Sequence, residues 1–151
     1  MLVFERSVWI HAPVDKVFAF HEGPDALQKL TPPGQPVSLI SHSGGIETGA
    51  RVVLRLGFGF LSLRWVALHT AYAQNQLFED TQISGPFRSW KHQHRFAVEG
   101  DGSRLTDHIE FELYGGHITE RMFGGLVRAQ LEKMFAYRHQ VTATFMQDFS
   151  A

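Results

Sequence analysis

From about Ile118 to Phe149 the chain contains no proline, and Val127, Leu131, Met134, Phe135, Arg138, Val141, Thr142, Phe145 and Phe149 recur near i, i+3, i+4 and i+7. That spacing predicts one long amphipathic helix, weakened only near its start by Gly124-Gly125. Such a helix has to bury its apolar stripe against another layer. The residues before it read as that layer. Val3–His11 alternates as a strand, with Phe4, Arg6, Val8 and Ile10 on one face. Pro13 then opens a short helix carrying Val14, Val17, Phe18 and His21, which Gly23-Pro24 breaks. Asp25 is placed to cap a second short helix through Leu30, and Thr31-Pro32-Pro33-Gly34 closes this region.

Six extended segments follow: Val37–His42, Ala50–Leu56, Leu61–Tyr72, Leu77–Ile83, Trp90–Val98 and Arg104–Leu113. Turn signals separate them, among them Ser43-Gly44-Gly45, Gly57-Phe58-Gly59, Gly85-Pro86 and Gly100-Asp101-Gly102-Ser103. Consecutive strands joined by hairpins predict an antiparallel sheet. The expected class is α+β: a curved, seven-stranded antiparallel sheet around a long C-terminal helix, with two short helices after the first strand, as one domain over residues 1–151.

The segment Gly85–Phe96 carries the most chemistry. In a strand, side chains two apart share a face. Trp90, His92, His94 and Phe96 therefore line one side, and Lys91, Gln93 and Arg95 the other. The second set is costly to bury unpaired, so the first is expected to face the interior between sheet and helix, with Phe96 deepest. Two imidazoles between apolar bodies suit a mostly apolar pocket with a few polar handles, acting as neutral donors and acceptors near pH 7. A half-buried strand with partly exposed histidines is the plainer alternative.

Composition narrows the function. With 44% hydrophobic and 19% charged residues the chain is an ordinary globular one. Its 13 Phe and 3 Trp put unusual aromatic area into a core, a cavity or an interface. A net charge of -1 calls for neither nucleic acid nor an anionic membrane surface. The absence of Cys excludes disulfides, thiolate catalysis and Cys-based zinc sites, and is compatible with the cytoplasm. Met1–Arg6 does not read as a signal peptide, and no run approaches the ~18 apolar residues of a membrane span.

Other candidates are weighed on residue chemistry. His92 and His94, with Cα atoms about 6.5 to 7 Å apart by strand rise, could form a two-His-one-carboxylate site with Asp80 or Asp107. No helical HxxxH or HExxH spacing supports a metal, and nine histidines make a chance His-x-His pair plausible, so no metal or cofactor is expected. His92, His94, Asp80 and His69 are the candidates for acid/base chemistry, and whether any reaction is catalysed stays open. An Arg-paired structural carboxylate is the other reading of Asp80. Trp65 shares a strand face with Leu63, Ala67 and His69 and is expected inward. The Leu61–Tyr72 strand is apolar on both faces, which suggests a twist or a subunit contact, as in a homodimer. Met122 and Met134 lie on the long helix, where Met is most often core.

Four stretches, Ile10-His11-Ala12-Pro13-Val14-Asp15-Lys16-Val17-Phe18-Ala19-Phe20-His21, Leu30-Thr31-Pro32-Pro33, Gly85-Pro86-Phe87 through Trp90, His92, His94 and Phe96, and Thr106-Asp107, carry a resemblance that spans the whole chain. The chain resembles the SRPBCC superfamily, which includes START lipid-transfer domains, the birch-pollen allergen family and polyketide cyclase/dehydrase-like proteins. The motifs match a bacterial subgroup of stand-alone, ligand-binding-like domains; similar domains precede a nucleotide-sugar epimerase-like domain in some longer proteins. The resemblance implies the helix-grip fold and a small hydrophobic or amphipathic ligand held between sheet and helix by a carrier, sensor or sequestering protein. A cyclase/dehydrase-like enzyme acting on a polyketide or aromatic substrate, and an interaction module with a vestigial cavity, are the alternatives, because the fold hosts all three. In such a fold Met122 and Met134 would roof the cavity. The expected ligand-binding set is Trp65, His69, Phe78, Asp80, Trp90, His92, His94, Met122 and Met134.

Overall fold

The computed structural model describes residues 1–58 and 60–149, without the side chains of Phe58 and Phe149. Gly59 of the expected Gly57–Gly59 turn, and the Phe149 side chain of the expected stripe, lie outside the described residues. Strand β1 (Leu2–Ile10) is followed by α1 (Val14–Glu22) and α2 (Ala26–Lys29). Six strands come next: β2 (Val37–Ser43), β3 (Arg51–Phe58), β4 (Leu61–Ala73), β5 (Leu77–Ser84), β6 (Ser89–Glu99) and β7 (Gly102–Glu112). Helix α3 (His117–Met146) ends in a 3-10 turn over Gln147–Phe149, so the α-helix stops three residues before the expected end. The sheet order is β1-β7-β6-β5-β4-β3-β2 and every neighbouring pair is antiparallel. This is the helix-grip architecture expected from the element order.

The β6–β7 hairpin shows how local chemistry sets register. Gly100 takes φ 61°, a left-handed conformation that glycine reaches without Cβ strain. Gly102 lies so close to the Ile10 carbonyl and the Trp9 ring that a side chain there would collide with both. From this turn, Trp90 pairs with Phe111, His92 with Ile109, His94 with Asp107 and Phe96 with Leu105. All eight are buried, as cross-strand partners on one face must be together.

The apolar interior divides in two. One cluster joins Ile10, Val17, Phe18, Phe78, Phe96, Leu105 and Met146. The other joins Phe4, Trp90, Ile109 and Phe111 of the sheet to Leu131 and Phe135 of α3, with Trp65, Phe87, Val127 and Met134 packed against it. Along α3 the buried positions are Gly124, Leu131, Phe135, His139, Thr142 and Met146. The stripe therefore runs through His139, whereas Phe145 stays 44% exposed. Helix α3 packs chiefly on β1, which leaves Leu39, Ile40, Leu61 and Leu63 on β2 and β4 exposed. Trp65, Ala67 and His69 do point inward, but Leu63 does not share their burial, because it lies toward the end of β4 that the helix does not cover. Val66 and Ala67 are consecutive and both buried, so β4 meets packed neighbours on both faces near its middle, while the register shift opposite them places the extra residue, Ile83, on β5.

Candidate functional site

The register of β4 to β7 assembles a polar seam between the two apolar clusters. His69 on β4 pairs with Asp80 on β5, and Asp80 pairs with His92 on β6. One pair further along, Phe78, His94 and Asp107 follow one another across β5, β6 and β7. From above, α3 contributes His139 and Arg138, and α1 contributes His21.

Asp107 organises this seam. His92 Nε2 and His94 Nδ1 donate to its Oδ1 at 2.9 and 2.7 Å, and His139 Nε2 donates to its Oδ2 at 2.6 Å. Three imidazole donors to one carboxylate fix the protonated nitrogen of each ring. The opposite nitrogens of His92 and His94 turn toward Asp80, whose Oδ2 is 3.5 Å from His92 Nδ1 and 3.7 Å from His94 Nε2. Among the described residues Asp80 forms ion pairs with imidazoles, not with the arginine partner that one reading of the sequence suggests. The His94 ring stacks on Phe78 with centroids 4.0 Å apart and planes inclined by 17°. The His92 and His94 rings lie 3.8 Å apart.

Electrostatics separates the members. Burial alone would raise the Asp107 pKa, but the adjacent His94 charge and the hydrogen bonds from His139, His92 and His94 hold it well below the usual carboxylate range. Asp80 is likewise lowered against the pull of burial, by its hydrogen bond with His94 and by the imidazoles of His92, His94 and His69. Burial would lower His94, yet Asp107 and Asp80 together outweigh it and raise the group. His92 goes the other way, lowered by burial and then by the charge on His94. The two neighbouring rings are therefore shifted in opposite directions, and a proton shared by the pair resides preferentially on His94. Burial pushes His21 down to about 4, although its ring bonds the Val17 carbonyl oxygen. Burial also lowers His69. Arg138, stacked over the Phe135 ring, adds a positive charge that both carboxylates feel. The seam can hold and pass protons between carboxylate and imidazole at fixed geometry.

The structure brings His69, Phe78, Asp80, His92 and His94 into one buried neighbourhood. Trp90 and Trp65 form an adjoining aromatic group with Phe87, the two indoles meeting edge-on at 5.1 Å. Met134 packs beside that group. Met122 joins neither, being 68% exposed on an outer turn of α3, so it does not roof this interior. His139 and His21 are the members that sequence reasoning passed over as site residues, and Asp107 was weighed only as a metal carboxylate. The signal for His139 was present: it follows Leu131 and Phe135 at successive i+4 steps, one position beyond Arg138.

An open cleft of about 550 Å³ lies beside this interior, lined by Pro32, Pro33, Pro36, Gln130, Leu131 and Met134 among others. Leu131 and Met134 belong both to its wall and to the aromatic cluster. A sequence profile of the family described as polyketide cyclase / dehydrase and lipid transport matches residues 10–135. The chain belongs to this family. Its architecture, an SRPBCC helix-grip, is a hydrophobic-ligand-binding fold. Solved structures agree on the fold. Norcoclaurine synthase from Thalictrum flavum, solved with dopamine and hydroxybenzaldehyde, is 12% identical with a TM-score of 0.74, covering 99% of this chain and 88% of that one. Ginseng major latex-like protein 151 from Panax ginseng is 10% identical with a TM-score of 0.70, covering 95% and 96%. A nucleoside-diphosphate sugar epimerase from Corynebacterium glutamicum is 25% identical with a TM-score of 0.73. That match covers 93% of this chain, which spans 28% of the epimerase. No curated protein matches this family member's sequence. Among its described residues no helix is long and apolar enough to cross a membrane.

Proposed function

We propose that this protein binds a small hydrophobic or amphipathic molecule whose apolar part enters between α3 and the Pro32–Pro36 segment, toward Trp65, Phe87 and Trp90. The carrying observation is the shared wall: Leu131 and Met134 line the open cleft and pack in the aromatic cluster behind it. An apolar molecule in the cleft needs to displace only side chains such as Met134, whose unbranched stem repacks cheaply. Trp65 Nε1, buried without a hydrogen-bond partner, supplies a donor at the apolar end. A carrier, sensor or sequestering role follows from binding without turnover. The test is titration with 1-anilinonaphthalene-8-sulfonate and a series of fatty acids, read by energy transfer from tryptophan. Saturable binding that Met134→Glu weakens at least about tenfold supports the reading. Binding unchanged in a folded Met134→Glu protein, or absent from the unmodified protein, removes it.

A second reading is a cyclase/dehydrase-like enzyme, and the observation favouring it is the buried Asp107 with its three imidazole donors. Turnover of aromatic or polyketide-like substrates that is lost in His139→Gln while the fold is kept would select this reading over a pure carrier.

A further inference from the structure

The three atoms of the polar seam that face one another are His92 Nδ1, His94 Nε2 and Asp80 Oδ2. One ligand atom from each of Asp80, His92 and His94 lies within 4.8 Å of the other two. The two distances to Asp80 Oδ2, 3.5 and 3.7 Å, are close to the ~3.4 Å edge of a tetrahedron built on bonds of about 2.1 Å. Both nitrogens lie on the side of each ring away from Asp107, and His94 Nε2, which faces Asp80 with a proton between them, releases that proton when a cation binds. A carboxylate behind a histidine, fixing its tautomer and pointing its other nitrogen outward, is the support that metal-ligating imidazoles need. Here one carboxylate does this for two rings at once. His69 adds an independent observation. It is 7% exposed, it neighbours Asp80 across β4 and β5, and its buried Nδ1 makes no hydrogen bond of good geometry, although the Ile46 backbone lies near enough to act on the ring.

We propose that Asp80, His92 and His94 bind a divalent transition-metal cation of the zinc type, with His69, beside Asp80 across β4 and β5, as a candidate for a fourth ligand. Two imidazoles and a carboxylate suit Zn²⁺, Co²⁺ or Ni²⁺ and not Ca²⁺ or Mg²⁺, which demand more oxygen ligands. The Asp80 side chain, 16% exposed against 5% for His92, marks the side from which the ion enters. Asp107 is a positioning residue that holds both rings from behind. The inference is independent of the cleft and of the ligand proposed for it.

The experiment uses the whole chain stripped with a chelator, titrated with Zn²⁺ by calorimetry and with Co²⁺ as an absorption reporter of geometry. The expected result is one ion per chain with the intense visible bands of tetrahedral Co²⁺. Asp80→Asn and His92→Gln should each weaken it at least about tenfold. His108→Gln should leave binding unchanged, since His108 lies in a separate group with Glu5 and Glu110. Should the cluster variants fail to fold, imidazole ¹⁵N spectra of the unmodified protein decide. Zn²⁺ must then shift His92 Nδ1 and His94 Nε2 while the nitrogens facing Asp107 keep their protons. No bound zinc, zinc lost in His108→Gln alone, or unchanged His92 and His94 signals at saturating zinc would overturn the proposal.

Discussion

His139 Nε2 donates to Asp107 Oδ2 across 2.6 Å, joining the second half of α3 to the centre of β7 through a carboxylate only 3% exposed. Asp107→Asn keeps the volume but turns an acceptor of three imidazole donors into a group that itself donates. Breaking such a buried network leaves uncompensated charge, and the expected loss is about 3 to 5 kcal/mol. Urea denaturation at pH 7 measures it, and a loss under about 1 kcal/mol would mean that the histidines hold water-mediated partners instead.

Phe135 is 1% exposed, meets the Phe4 ring at 5.6 Å and lies edge-on to His92 at 5.2 Å. Phe135→Ala should cost about 3 to 5 kcal/mol, from lost transfer energy together with the cavity left behind. Equilibrium melts with an unchanged m-value would check this. A small effect would show that the helix settles into the gap.

Gly125 lies within α3 in open space, with no atom beyond its chain neighbours and its own helix backbone within 4 Å of where a Cβ would stand. Gly125→Ala removes backbone freedom from the unfolded chain without a clash, and should stabilise by up to about 1 kcal/mol. A rise in Tm is the expected reading; a fall would place an unseen contact at that position.

His21 is lowered from 6.5 to about 4, chiefly by burial, with the His94 charge adding and the Val17 hydrogen bond and Asp107 opposing. Its folded value lies below its unfolded one, so between about pH 6.5 and pH 4 the unfolded chain binds the extra proton. Stability is then fully present above 6.5 and is lost as the pH falls toward 4. The stability difference between the unmodified protein and His21→Gln should shrink by about 3 kcal/mol across that window. Paired denaturant melts at pH 7, 5.5 and 4 test it, and a difference independent of pH would mean that His21 titrates normally.

What the sequence determined on its own was local. Glycine and proline turns, period-two alternation and an unbroken helical stripe each depend on neighbours within a few residues. Together they led to seven strands, two short helices, a long helix near Ile118 and an inward face bearing Trp90, His92, His94 and Phe96. The candidate site depended on distance along the chain. Asp107 meets His92 across 15 residues and His139 across 32, and only the β5–β6–β7 register and the seating of α3 put all three in contact. The upward shift of His94 could not be read from its strand, because it is set by two carboxylates on other strands. Met122 shows the same limit from the other side. Helical spacing marks it as apolar, but where α3 rests on the sheet decided that it stands 68% exposed while Met134 packs inward. Periodicity assigns a residue to a face; tertiary packing determines what that face meets.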